Sequence, residues 1–239
     1  MFQSDPFTLI VLFVGMSLLP FVAMIATSYL KIVVVMSLIR NALGIQSIPP
    51  NMVINALAMI LSFYIMAPAA SEAWGILTAE RDAAANGGPA PAAVQAPAQG
   101  AAAQGGLPMS LPPTSYVKAA EPFREFLSQH TSPRERAFFI NTAERLWGSE
   151  DEPAQVDPES FYILLPAFCV SELTKSFQIG FLVYLPFIAI DIIVSNILLA
   201  MGMMMVSPVT ISLPFKLLLF VMVNGWTLLI QGLVRGYVQ

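Results

Sequence analysis

The chain has 239 residues, 56% of them hydrophobic and 11% charged, with a mean hydropathy of +0.72. That balance is too apolar for an ordinary soluble domain and predicts a membrane-associated protein. The net charge of −4 argues against nucleic-acid binding, and a single cysteine, Cys169, excludes an internal disulfide framework.

No Lys or Arg precedes Lys31, so the start lacks the basic flank of a signal peptide and reads as a retained first helix. Asp5-Pro6 has the form of a helix N-cap with proline at the first helical position. The stretches 6–30, 41–71, 192–215 and 217–234 carry no charge. About 20 apolar residues suffice to cross a hydrocarbon core as a helix. Hydropathy therefore predicts spans at 8–29, 52–71, 177–199 and 213–234, with a shorter apolar piece at 161–171 interrupted by Pro166. Prolines at 20, 68, 166, 186, 208 and 214 each remove a backbone donor and predict kinked or broken helices. At membrane depth such breaks need protein or a water-filled cavity to satisfy the freed groups. Lys31 and Arg40 lie between the first two spans without an acid among them, which places that stretch on the cytoplasmic side. The segment 72–160 carries twice as many acidic as basic residues and is expected on the opposite side, with both termini.

The middle of the chain divides in two. From Ala83 to Val117 there is no charge, and Ala, Pro, Gly and Gln dominate. Such a composition buries too little apolar area to offset ordering entropy and predicts a flexible loop. Beyond it, Tyr116, Ala120, Phe123 and Leu127 share a helical face. Ser132-Pro133-Arg134-Glu135 reads as a capping box, Phe139, Ala143, Leu146 and Trp147 continue the stripe, and Gly148 is a natural stop. Asp157-Pro158-Glu159 is expected to start the next helix. The predicted fold is thus all-α: membrane-type helical hairpins with proline-broken helices, a small extracytoplasmic helical module and a disordered loop. Its parts are an apolar hairpin at 1–78, the loop at 79–115, the module at 116–157, and apolar helices with a methionine-rich loop at 158–239.

Catalytic signatures are missing: neither phosphate-binding glycine loop nor a nucleophile elbow occurs, so no enzyme is predicted. The single histidine, His130, cannot build a metal site and reads as a solvated side chain; no cofactor is implied. The charges inside apolar segments say more. Burying an ion costs several kcal/mol unless it is paired, so Glu172, Lys175, Asp191 and Lys216 need partners. Glu172 and Lys175 stand three apart on a helix and can pair with each other. Asp191 and Lys216 have no opposite charge within a helical turn, so their partners must come from elsewhere in the fold or from another subunit. A proton relay is the alternative, but a relay needs several acids or histidines in series. Gly232 and Gly236 give a weak helix-packing signal.

Near the end, Met201-Gly202-Met203-Met204-Met205-Val206-Ser207-Pro208 sets a methionine cluster between two uncharged stretches. Methionine is flexible and polarizable, so such a run is either membrane-helix filler or a pliable constriction. Asp191 to Asn196 before it and Pro208 to Lys216 after it, with Thr27-Ser28-Tyr29-Leu30-Lys31, Arg40-Asn41-Ala42-Leu43-Gly44, Pro49-Pro50-Asn51 and Phe177-Gln178-Ile179-Gly180, resemble the FliP/SctR family of type III secretion export-gate subunits. The likeness favours the non-flagellar injectisome branch; Asn224 departs from the acid that flagellar relatives carry before the Gly225-Trp226 pair.

The resemblance implies a pore-forming subunit of the bacterial inner membrane, raised toward the periplasm on assembly. Five such copies would join FliQ/SctS-type and FliR/SctT-type proteins and pass unfolded polypeptides. It also implies a gasket of Met201, Gly202, Met203, Met204 and Met205, and pairing of Glu172 with Lys216 between subunits. Hydropathy alone equally permits a small-solute or ion transporter, although residues 6–71 and 161–234 show no convincing inverted repeat.

Overall fold

A computed structural model describes residues 6–45, 48–85, 113–148 and 155–238, and within them every regular element is helical. The helices are α1 (Pro6–Ile25), α2 (Tyr29–Ala42), α3 (Asn51–Ala85), α4 (Pro113–Ala119), α5 (Glu121–His130), α6 (Pro133–Trp147), α7 (Phe161–Ala200), α8 (Pro208–Met222) and α9 (Gly225–Arg235). Residues pack into two units, one built from the chain up to Met66 and from His130 onward, the other from Ala67–Gln129. The helix α3 runs without interruption through 79–85, the first residues of the expected loop. The rest of the expected loop, 86–112, and the expected N-cap Asp5 lie outside the described residues.

Among the described residues two helices are long and apolar enough to cross a membrane, within 51–82 and 161–200. Two more spans result if each bent pair counts as one, α1 with α2 and α8 with α9, both bent by 59°. The 40 residues of α7 make a rod of about 60 Å, twice a hydrocarbon core of about 30 Å. The apolar piece at 161–171 is therefore the start of that same helix and no separate element. Pro20, Pro68, Pro166, Pro186 and Pro214 all lie inside continuous helices. The sharp bends fall instead at 26–28 and 223–224, where polar or left-handed backbone ends one helix before the next begins.

The first bend is stabilised by hydroxyls. Ser62 of α3 donates to Thr27 Oγ1 at 3.0 Å, and Ser28 donates to Ser62 Oγ at 3.3 Å. At the second, Asn224 adopts φ 52°, a left-handed conformation that Asn tolerates better than most residues.

The core of the larger unit is centred on α2. Ile32, Val35, Met36, Ile39 and Ala42 are buried with Leu43, Ile54, Ala58, Phe187, Phe220 and Leu233. The stretch 31–40, expected to link two spans, is thus part of the most enclosed helix. It lies alongside α7 in the same direction, with Lys31 at Glu172 and Leu38 at Gly180. A Cβ on Gly180 would stand 2.4 Å from Leu38 Cδ1, so the missing side chain is what lets the two helices close. Gly225 plays the same part against the Phe220 ring. A Cβ on Gly232 would meet nothing within 4 Å, so the Gly232–Gly236 spacing serves no contact among the described residues.

In the helical module, α6 begins at Pro133 and stops at Gly148 as the sequence predicts. The capping box takes another form: the Ser132 amide donates to Ser171 Oγ at 2.9 Å. The next helix starts at Phe161, after Asp157 Oδ1 accepts the Glu159 amide in a turn at 3.0 Å.

Candidate functional site

Two buried ion clusters and one exposed turn carry the chemistry of this chain. The first cluster surrounds Glu172, whose side chain is 0% exposed on α7. Lys31 of α2 reaches Oε2 at 2.9 Å and Lys175 reaches Oε1 at 3.1 Å. The Tyr237 hydroxyl donates to the same Oε2, while Lys31 Nζ sits 3.8 Å from the Tyr237 ring centroid. Lys175 Nζ also donates to the His130 carbonyl at 2.7 Å, and the His130 ring lies 5.0 Å from that of Tyr237. A carboxylate with three donors on two oxygens is close to saturation, which is what burial of an ion requires.

Sequence spacing gave the Glu172–Lys175 pair. It did not give Lys31, which the sequence placed as a loop charge and which is 4% exposed. Nor did it give Tyr237, or the packing of His130 against it; His130 is half-buried rather than solvated. The available signal was Lys31 itself, a cation flanked on its C-terminal side by Ile32 and Val33, in a run that continues apolar to Met36.

The second cluster joins α7, α8 and the end of α2. Lys216 is 3% exposed and meets Asp191 Oδ2 at 2.6 Å. It also donates to the Ala42 carbonyl at 3.3 Å, and Ser212 donates to Asp191 Oδ1 at 2.5 Å. Within one chain, then, Lys216 pairs with Asp191 and Glu172 pairs with Lys31 and Lys175; Glu172 and Lys216 do not meet each other. Arg40, the other basic residue of α2, donates to the Pro49 carbonyl at 3.3 Å and to Asn51 Oδ1, which ties the end of α2 to the start of α3.

The exposed turn is the connection 201–207 at the tip of the α7–α8 hairpin. Its first half is a helix stop with a defined hydrogen-bond pattern. The Gly202 amide donates to the Leu199 carbonyl and the Met203 amide to that of Leu198, both at 3.0 Å, with Gly202 at φ 75°. That paired pattern ends helices where glycine can take the left-handed conformation. Pro208 then starts α8 at its first position. Met201, Met203 and Met204 project outward, Met204 with 82% of its surface exposed, and Met205 is fully exposed. Such exposure of four methionines costs apolar hydration that burial would relieve. Cys169 is half-buried with its Sγ 3.8 Å from the Ile25 carbonyl. Among the described residues no group of His, Cys, Asp and Glu is arranged to hold a metal.

The whole core of the chain, residues 12–233, matches the model of the FliP family. The chain is 45% identical over 230 residues to the hypersensitivity response secretion protein HrcR of Ralstonia nicotianae, covering 96% of each. It is 46% identical over 233 residues to the Yop proteins translocation protein R of Yersinia pestis, covering 98% of this chain and 97% of that one. It is also 37% identical over 235 residues to the flagellar biosynthetic protein FliP of Bacillus subtilis, with 98% and 93% covered. On these matches the chain belongs to the FliP family, a group of non-enzymatic components of the type III secretion apparatus.

Proposed function

We propose that this chain is a pore-forming subunit of the type III secretion export gate, with Met201, Gly202, Met203, Met204 and Met205 as the gasket that closes the channel. The observation that carries this reading is the outward methionine turn at the tip of a hairpin whose two helices are pinned by the buried Asp191–Lys216 pair. A gate must hold back ions yet admit an unfolded chain of any sequence. That requires an apolar constriction whose side chains rearrange cheaply, which unbranched methionine provides. The relatives named for secretion and translocation agree with this role.

Five copies would bring five such turns around one axis, in company with FliQ/SctS-type and FliR/SctT-type subunits in the bacterial inner membrane. The Glu172–Lys216 pairing between neighbouring subunits would then need each to exchange or share its partner within the chain, Lys31 or Asp191. In the same reading the α2–α3 turn faces the cytoplasm, with Arg40 as the charge nearest that turn.

The test is solute leak through the assembled complex reconstituted in vesicles. Replacing Met203, Met204 and Met205 with Ser is expected to raise permeability to small solutes while the complex keeps its mass. Normal assembly with a wild-type leak rate would end the gasket reading.

A further inference from the structure

The chain past α8 is an arm with few points of attachment. It bends by 59° at Asn224, and of α9 itself only Gly225 and Leu233 are buried. At the near end Trp226 meets Phe220 edge-on, with ring centroids 5.4 Å apart. At the far end the backbone continues in helical turns, since the Gly236 amide donates to Gly232 at 3.1 Å and the Tyr237 amide to Val234 at 3.0 Å. Tyr237 is therefore a rigid extension of α9. Its ring and hydroxyl are buried against Lys31, Glu172 and His130, which belong to three other elements.

We infer that α9 is a hinged strap, latched at its far end by Tyr237 on the Lys31–Glu172 pair and hinged at Asn224-Gly225. When the strap is closed, the phenol covers the ion cluster. Withdrawing Tyr237 leaves Glu172 its two lysines, so the cluster survives opening. Apart from Tyr237 the arm is held by Leu233 in the core, by Leu229 packed against it and by the contacts next to the hinge, so Tyr237 is the anchor of its far end. Motion is concentrated at Asn224, whose left-handed backbone already departs from both helices. Opening would present a carboxylate and an ammonium on adjacent faces of α7 and α2 that the closed subunit hides. The inference does not rest on the gasket.

Hydrogen exchange on the full chain in detergent tests the latch, read peptide by peptide. Tyr237→Phe removes the bond to Glu172 but keeps the ring under Lys31, and is expected to speed exchange in 225–235 by roughly tenfold. Tyr237→Ala removes both contacts and should speed it by roughly a hundredfold. Exchange in 29–42 and 176–198 should stay at the wild-type rate in both variants. Uniform acceleration of α2, α7 and α9 together would make Tyr237 an ordinary core residue and overturn the strap. So would unchanged exchange in α9. If Tyr237→Ala does not fold, the Phe variant against wild type decides alone.

Discussion

The Glu172 cluster and the methionine turn invert the usual arrangement of a folded chain. One is charged and sealed from solvent; the other is apolar and stands outside. Each is costly taken alone, by desolvation in the first case and by apolar hydration in the second. They differ in where the compensation comes from. Glu172 finds its donors inside the same chain, so its cost is met when the subunit folds. Met204 and Met205 find no cover among the described residues of their own chain. The Glu172 cluster is satisfied within the chain, while the tip of the α7–α8 hairpin is left uncovered by the described residues.

The sharpest break of this contrast is Glu172→Ala. It strands Lys31 in a site 4% exposed, and removing one member of a buried pair costs about 3–5 kcal/mol. Urea unfolding in detergent should register the loss, and adding Lys31→Met should recover a large part of it, because the stranded charge is gone. Lys216→Ala is expected to cost less, about 2–3 kcal/mol, since the Asp191 side chain left behind is 32% exposed and keeps the Ser212 hydroxyl. If Glu172→Ala proves milder than Lys216→Ala, the first cluster is wetter than its geometry states.

Backbone and packing variants come next. Gly180→Ala places a Cβ on Leu38 where α2 packs against α7, at an expected cost of about 1–2 kcal/mol. The clash is with the end of a flexible side chain, so Leu38→Ala should relieve it in the double variant. Gly202→Ala forces a Cβ into φ 75° with open space around it, so only the backbone term of about 1 kcal/mol is expected. Met205→Ser should change stability by no more than about 0.5 kcal/mol, because nothing among the described residues covers that side chain. A larger loss would place Met205 against a partner within the subunit.

Much of this fold was readable in the residues, for reasons that also mark the limits. Hydropathy placed the apolar parts of α3, α7 and the α8–α9 pair, at 52–71, 177–199 and 213–234, though not the joining of 161–171 to the rest of α7; Pro133 and Gly148 gave both ends of α6. The character of α2 was not readable. Hydropathy judges a charge by its type, and Lys31 looks like a loop residue until Glu172, 141 positions later, supplies its partner. Proline marks one break, Pro208 at the first position of α8, while Pro20, Pro68, Pro166, Pro186 and Pro214 lie inside helices; the 59° bends fall at 26–28, beside the hydroxyls of Thr27 and Ser28, and at the left-handed Asn224. Of the candidate residues, Glu172, Lys175, Asp191 and Lys216 were legible as charges in need of partners. Which partner each takes depends on helix packing, and no local pattern encodes that.

Glu135 is a half-buried counterpart of Glu172 and gives the smallest effect. At the start of α6, the Ser132 hydroxyl and the amide of Glu135 hold its carboxyl below the usual carboxylate range. A carboxyl whose value is lowered on folding contributes stability above its unfolded value, about 4.3 for Glu, and that contribution is lost as pH falls through the lower folded value. Exchange of the first-turn amides of α6, taken relative to the intrinsic rate at each pH, should therefore hold steady down to that range and rise below it, where the protonated carboxyl no longer favours the bond from Ser132. Glu135→Gln should remove the rise while leaving the rates near neutral pH little changed, since the amide oxygen still accepts from Ser132. The bond lies within one turn at the helix start, so the change should stay within α6 and leave the global unfolding midpoint where it was. A pH profile identical in the Gln variant would show that Glu135 is not the source of the rise.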